Sequence, residues 1–328
     1  MEGWLSYTFP RRDKSPLHFS LRLLNTNSVV VPKTLTPPPT LPVVVPRKDE
    51  ELDQLERALW KIHADSRGGG VREERKTESE VWDRQTLDAI YKFMKRGLID
   101  TVEHPISTGK EANVFFALDT EGEPLVVKIY RTSTADFRGI ERYIMGDPRF
   151  PGRRTNRRQV IFAWARKEYL NLRRAYDAGV PVPEPYDFQK NVLAMEYIGM
   201  EDMAAPEVRN VRLEDPDAFY DQVMEATATL FREAHLVHGD LSEYNILVVD
   251  GAPVLIDLGQ AMLVKHPRAV ELMDRDCANM ARFWSKRGVE TSVEEVWRRI
   301  TGKERSESLV GNKAEEDGDD ADEGGEKP

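Results

Sequence analysis

Two short apolar runs, Ile246 to Val249 and Val254 to Ile256, flank the dipeptide Asp250-Gly251, and no other stretch of the 328-residue chain restricts its folding so tightly. β-Branched residues on either side of Asp-Gly specify a strand, a two-residue turn and a second strand. Such a hairpin returns the chain to its own start. The loop before the first strand, which holds Asp240 and Asn245, therefore comes close to Asp257, just past the second. Three oxygen-bearing side chains then share one small volume. Mg²⁺ suits such a point, being a hard cation that takes a few carboxylate or amide oxygens and fills its shell with phosphate oxygens.

Asp, four residues, Asn, then a hairpin ending in Asp is the order of a kinase catalytic loop and metal loop. In that arrangement Asp240 is the proton acceptor or orients the attacking group, and Asn245 and Asp257 hold metal. A second pair of charges supports it. Lys128 lies in the apolar strand Val126-Val127-Lys128-Ile129-Tyr130, where an unpaired charge is costly to bury. The helix near residues 159–177 carries the stripe Ile161, Ala165, Glu168, Leu172, Ala175, which sets one carboxylate on an otherwise apolar face. The two charges are expected to meet, and in kinases that lysine also contacts the α and β phosphates. The alternative is a Lys128 that snorkels to solvent and an exposed Glu168.

Around these residues, alternation predicts strands over 101–108, 112–118 and 125–130. The turn Ser107-Thr108-Gly109-Lys110-Glu111-Ala112 could lie over phosphates through its N–H groups, hydroxyls and lysine, or could be an ordinary hairpin turn. Val192 to Tyr197 reads as a buried strand. In the kinase arrangement it is the connector between lobes, with Met195 at the back of the adenine pocket and the backbone of Glu196 and Ile198 facing the base. Residues 131–158 form a long polar connection with Arg149, Arg153, Arg154, Arg157 and Arg158. It is expected to be a flexible loop, its arginines either bound to RNA phosphate or solvated. His238 reads as a structural histidine. Helices are expected over 217–234, about 267–287 and near 292–300, which leaves little chain for a peptide groove.

The flanks are different in kind. Residues 1–46 hold eight prolines and no periodicity, and are expected to be a disordered arm. Residues 47–98 supply a helical extension with the stripes Leu52, Leu55, Leu59, Ile62 and Leu87, Tyr91, Met94, Leu98. Of the net charge of −10, the closing segment 303–328 accounts for −6, and this acidic tail is expected to be disordered. One cysteine, Cys277, and six scattered histidines argue against disulfides and a zinc centre. No apolar run approaches the ~18 residues of a membrane span. A cytoplasmic protein with neither membrane nor DNA as a partner is the expectation.

Together the motifs resemble the RIO family of atypical kinases, and within it the RIO1 group. Ser107-Thr108-Gly109-Lys110-Glu111-Ala112-Asn113-Val114 resembles that group's phosphate loop, His238-Gly239-Asp240-Leu241-Ser242-Glu243-Tyr244-Asn245 its catalytic loop, and Ile256-Asp257-Leu258-Gly259-Gln260-Ala261 its metal loop. His266-Pro267 and Arg275-Asp276-Cys277 follow as in the group, and the resemblance spans about residues 80–302. It implies an α+β, two-lobed protein-kinase-like fold with the N-lobe over 99–199 and a reduced C-terminal lobe over 200–302. It implies a serine/threonine protein kinase and ATPase using ATP and Mg²⁺, with Mn²⁺ as a substitute, acting in small-subunit ribosome maturation on the pre-ribosomal particle and its rRNA. By the same resemblance Asp257 carries an aspartyl-phosphate intermediate, and Ser107, Thr108, Lys110, Lys128, Glu168, Met195, Glu196 and Ile198 bind ATP. Two other readings stay open: a small-molecule phosphotransferase of the aminoglycoside-kinase type, and an ATP-gated assembly factor without catalysis.

Overall fold

Five strands form one antiparallel sheet in the order β1-β2-β3-β5-β4: β1 (Thr101–Thr108), β2 (Ala112–Leu118), β3 (Pro124–Tyr130), β4 (Pro185–Gln189) and β5 (Val192–Glu196). The computed structural model describes residues 52, 53, 55, 57, 82–132, 137–151, 156–200 and 203–305. The proline-rich arm, most of the first helical stripe, Arg153, Arg154 and the tail beyond residue 305 lie outside these residues.

Successive side chains of a strand point to opposite faces. Leu125, Val127 and Ile129 of β3 accordingly pack with Leu87, Ile90 and Phe93 of helix α1 (Arg84–Lys95). Val126 turns the other way, against Phe116 and Tyr197. Lys128 shares the face of Val126, away from α1, and so looks toward the second lobe. Asp83 caps α1 by accepting hydrogen bonds from the amides of Gln85 (3.1 Å) and Thr86 (2.8 Å), an interaction that stabilises a helix by about 1 kcal/mol. The helix is rotated from the expected stripe: Ile90 and Phe93 are buried, while Tyr91 and Met94 are half-buried at its margin.

The connection over residues 131–158, expected to be a flexible loop, contains helix α2 (Phe137–Ile144), and its last two residues already belong to α3 (Arg157–Asp177). Ile140, Tyr143, Ile144 and Phe150 are buried with Val160, Ile161 and Trp164 of α3. Tyr143 meets the Trp164 ring edge-on at 5.7 Å. Burial of these side chains is what holds the segment down, at roughly 1.5–3 kcal/mol each.

In the second lobe, α4 (Pro216–Arg232), α5 (Ala269–Lys286) and α6 (Val293–Thr301) pack around Trp284 and Trp297, both fully buried. The short hairpin β6 (Gly199–Met200) and β7 (Met203–Ala204) follows the connector. Two further ladders organise the loops. One is the expected hairpin, β9 (Ile246–Val249) with β10 (Ala252–Leu255), turned by Asp250 and Gly251, both at positive φ. The other pairs β8 (Leu236–Val237) with β11 (Met262–Leu263). The first residues of the acidic tail are docked: Arg305 pairs with Asp274 at 2.8 Å and Glu294 at 3.2 Å.

Candidate active site

β8 delivers the chain into residues 238–245, β9 and β10 carry it out and back, and residues 256–261 lead into β11 beside β8. Both loops are thus pinned at both ends. Leu255 pairs with Ile246, the Ile256 amide donates to the Asn245 carbonyl at 3.0 Å, and Met262 pairs with Val237. This double closure brings Asp240, Asn245 and Asp257 together, as the hairpin alone led us to expect.

Asn245 Nδ2 donates to the Asp240 carbonyl at 2.8 Å and faces its Oδ2 at 3.4 Å. Gln260 Nε2 donates to the same Oδ2 at 3.1 Å. Gly239 stands at φ +78°, where an added Cβ would lie 2.9 Å from the Gln260 carbonyl oxygen, so only glycine lets the two loops approach this closely. Beneath them, buried Asp276 of α5 accepts hydrogen bonds from the amides of Gly239 (2.7 Å) and Leu241 (2.8 Å). Burial pushes the Asp276 carboxyl up to about 7, against the opposing pull of those two amides. The Arg275 guanidinium caps the Gly239 carbonyl and reaches Gln260 Oε1 at 3.2 Å.

From the other lobe, Lys128 Nζ lies 2.8 Å from Glu168 Oε1 and 3.1 Å from Asp257 Oδ1. The expected pair forms, and the lysine bridges on to Asp257 in the loop after β10. Tyr130 adds a hydroxyl to Glu168 Oε2. Burial pulls the Lys128 ammonium down, but the Asp257 and Glu168 carboxylates outweigh it and hold its pKa above the ordinary lysine value. Desolvation pushes Asp257 up, and the Lys128 charge outweighs it, so the carboxyl stays below the usual range and ionised. Its side chain is 47% exposed, so the carboxylate can be reached by a cation. Asp257 adopts φ +61°. A non-glycine residue persists in that left-handed region, at about 1–3 kcal/mol, only when its surroundings impose it.

His238 is buried, with Nε2 3.2 Å from the Ile256 carbonyl oxygen and Nδ1 without a partner. A proton on Nδ1 would have no acceptor, and burial lowers the imidazole pKa to about 4. We predict that the His238 ring resonances do not titrate between about pH 5.5 and 8 in an NMR titration. A midpoint inside that window would make it a proton carrier rather than a structural group.

The remaining expected residues occupy two rims. Ser107 and Thr108 pair with Val114 and Asn113 at the end of β1, so they belong to the ladder as well as to the turn, and Gly109 N closes on the Ala112 carbonyl at 2.9 Å. Lys110 is exposed at the tip. Its neighbour Glu111 lies near enough to Glu168 to contribute to raising that carboxyl, which places the turn over the cleft. Met195, half-buried, packs with Phe116, Val126 and Tyr197. The Glu196 amide donates to the Glu184 carbonyl and the Ile198 carbonyl accepts from Ala205. The Glu196 N–H is therefore not free for a nucleobase, whereas the Ile198 carbonyl oxygen keeps a second lone pair. Among the described residues no three His, Cys, Asp or Glu side chains are grouped to hold a metal unaided. Asp257 with the Asn245 amide oxygen fits Mg²⁺, which keeps water and phosphate in the rest of its shell.

A two-lobed frame with a lysine–glutamate pair in one lobe and an Asp/Asn/Asp cluster in the other defines a protein-kinase-like phosphotransferase class. The family model described as the RIO domain matches residues 113–296. The Rio1 serine/threonine-protein kinase of Haloferax volcanii is 44% identical over 258 residues, covering 79% of this chain and 85% of that one. That of Methanocaldococcus jannaschii is 38% identical over 232 residues, covering 71% and 79%. The human RIO1 kinase is 38% identical, and the match spans 70% of this chain and 41% of that longer protein. The Rio2 kinase of Chaetomium thermophilum, solved as an ADP/Mg²⁺-phosphoaspartate complex, superposes with a TM-score of 0.52 at 26% identity over 69% of this chain and 68% of that one. The chain belongs to the RIO family of serine/threonine-protein kinases. That membership replaces the small-molecule phosphotransferase alternative.

Proposed function

We propose that the chain is an ATP- and Mg²⁺-dependent RIO1-type serine/threonine protein kinase and ATPase that acts on the maturing small ribosomal subunit. The observation that carries the catalytic part is the bridge from Glu168 through Lys128 to Asp257, at 2.8 and 3.1 Å, which joins the lobes at one point. Lys128 is poised to exchange its Asp257 contact for the α and β phosphates, and Glu168 keeps it in place. Asn245 and Asp257 would hold Mg²⁺, which supplies charge neutralisation for the phosphates. Asp240 accepts the proton of the attacking hydroxyl or water. In the route through an aspartyl phosphate, an Asp257 carboxylate oxygen attacks the γ-phosphorus, ADP leaves, and water later cleaves the acyl phosphate with Asp240 taking its proton. A Rio2 relative solved with phosphoaspartate supports that route by analogy. Ser107, Thr108 and Lys110 cover the phosphates, and the Ile198 N–H with Met195 and Glu196 lines the adenine site. Mn²⁺ is expected to replace Mg²⁺.

Equilibrium binding of ATP with and without Mg²⁺, followed by γ-phosphate transfer to a serine-containing test protein, checks the catalytic part. Binding that is indifferent to Mg²⁺ overturns it. The ribosomal part predicts salt-sensitive association with small-subunit rRNA or its precursor, each phosphate contact contributing about 0.7–0.9 to the log–log salt slope. Neutralising Arg153, Arg154, Arg157 and Arg158 should flatten that slope. An unchanged slope would remove the basic segment from this role. A third reading, an ATP-gated assembly factor without turnover, is distinguished by measuring hydrolysis directly.

A further inference from the structure

Helix α3 grips the metal loop twice, and only one grip passes through Glu168. Lys167, the neighbouring residue, is fully buried on an interior face, and its Nζ donates to the carbonyls of Gly259, at 2.8 Å, and Ala261. One turn on, Asn171 is equally buried and its Nδ2 donates to the carbonyls of Leu258, at 2.8 Å, and Ala261, at 2.9 Å. Gly259 fits against the same helix so closely that a Cβ there would lie 3.1 Å from the Trp164 ring and 3.3 Å from Glu168 Oε2. Three carbonyls within four residues after Asp257 are thus claimed by two side chains, while His238 and the Asn245 carbonyl hold Ile256 on its other side.

A lysine rarely lies fully buried without a carboxylate against it. Here backbone oxygens are its acceptors. Burial, with the nearby Arg149 charge, lowers its pKa to about 7, against the pull of Asp147. Either protonation state leaves Nζ at least two N–H groups for its two carbonyls, and the charged state makes both bonds stronger. Asp257, immediately before these carbonyls, stands at φ +61°, a backbone state that a non-glycine residue keeps only when its surroundings impose it.

The geometry points to Lys167 and Asn171 as positioning residues that fix the carbonyls following Asp257 and thereby aim its carboxylate at the cation. This rests on the reading of Asp257 as a metal ligand. Groups behind the ligands of a metal site usually change metal affinity by about 10- to 100-fold when replaced. Lys167→Met and Asn171→Leu keep the side-chain volume and remove the donors. In the full chain, the Mg²⁺ concentration that half-saturates binding of a fluorescent ADP should rise about 10- to 100-fold in both. Affinity for the same nucleotide without Mg²⁺ should stay within about two-fold, because neither residue faces the nucleotide. A general loosening of the fold would weaken both constants together, and that result, like an unchanged Mg²⁺ requirement, overturns the inference. Should Lys167→Met fail to fold, Asn171→Leu decides alone. A wild-type protein that binds ADP without regard to Mg²⁺ would instead remove the metal-ligand reading, and this inference with it.

Discussion

Asp257→Asn is expected to abolish Mg²⁺-dependent nucleotide binding and to lower phosphotransfer by at least about 10²- to 10³-fold, a loss typical of removing a group that stabilises transition-state charge, while the protein stays folded. Asparagine is the informative replacement because it tolerates the left-handed backbone that Asp257 adopts. Alanine there adds a steric cost of roughly 1–2 kcal/mol and so confuses loss of charge with loss of fold. Without the carboxylate, Lys128 keeps Glu168 as its ionic partner at 2.8 Å and remains charged, so the first lobe survives the change. Both variants should also lose any hydroxylamine-sensitive phosphate label formed from ATP. A label that persists on either one rules out Asp257 as the phosphate acceptor, and Mg²⁺-dependent binding that persists removes it from the metal site.

Why some of this arrangement was legible in the chain and some was not follows from where each side chain finds its partner. Lys128 and Glu168 could be paired from sequence because each is an isolated charge on a face whose other members are apolar. Asp276 sends the same signal from α5, being buried among Met273, Cys277 and Met280, and its partners are the amides of Gly239 and Leu241. Lys167 sends none. It sits beside Glu168 in a helix rich in arginine, and its acceptors are backbone carbonyls, which every residue possesses. The bridge from Lys128 to Asp257 was likewise invisible, because the sequence already offered the lysine one carboxylate.

Secondary structure divides along similar lines. Asp250-Gly251 fixed its hairpin because a two-residue turn with both residues at positive φ accepts few other pairs. The β8–β11 ladder pairs two residues of each strand, too few for any alternation to register. Helix α2 gives no helical signal in the sequence because charge around it masks the spacing of Ile140, Tyr143 and Ile144. On α1 the buried face differs by one residue from the stripe through Tyr91 and Met94: Ile90 and Phe93 fill the space against β3 and β5, and Tyr91 and Met94 fall at the edge.

Asp240→Ala is the complementary change, and should lower turnover by about 10²- to 10⁴-fold, the contribution of a positioned acid or base, with affinity for ATP and Mg²⁺ nearly intact. The separation follows from contacts: Asp240 touches Asn245 and Gln260, whereas the ionic link between the lobes runs through Asp257. The two carboxylates also differ in electrostatics. Burial raises the Asp240 pKa, and the nearby Asp257 charge raises it further, against the opposing pull of Arg275. A base must be deprotonated to act, so kcat/KM should fall as pH drops through a value above the ordinary carboxylate range, and that acid limb should vanish in Asp240→Ala. In Asp257→Asn any residual activity should show the limb moved to lower pH, since one of the charges raising Asp240 has gone. Turnover unchanged in Asp240→Ala would remove this residue from proton transfer. An acid limb that survives there would assign the titration to another group, of which Glu168, pushed up by burial to about 7, is the nearest candidate on the Lys128 side of the cleft.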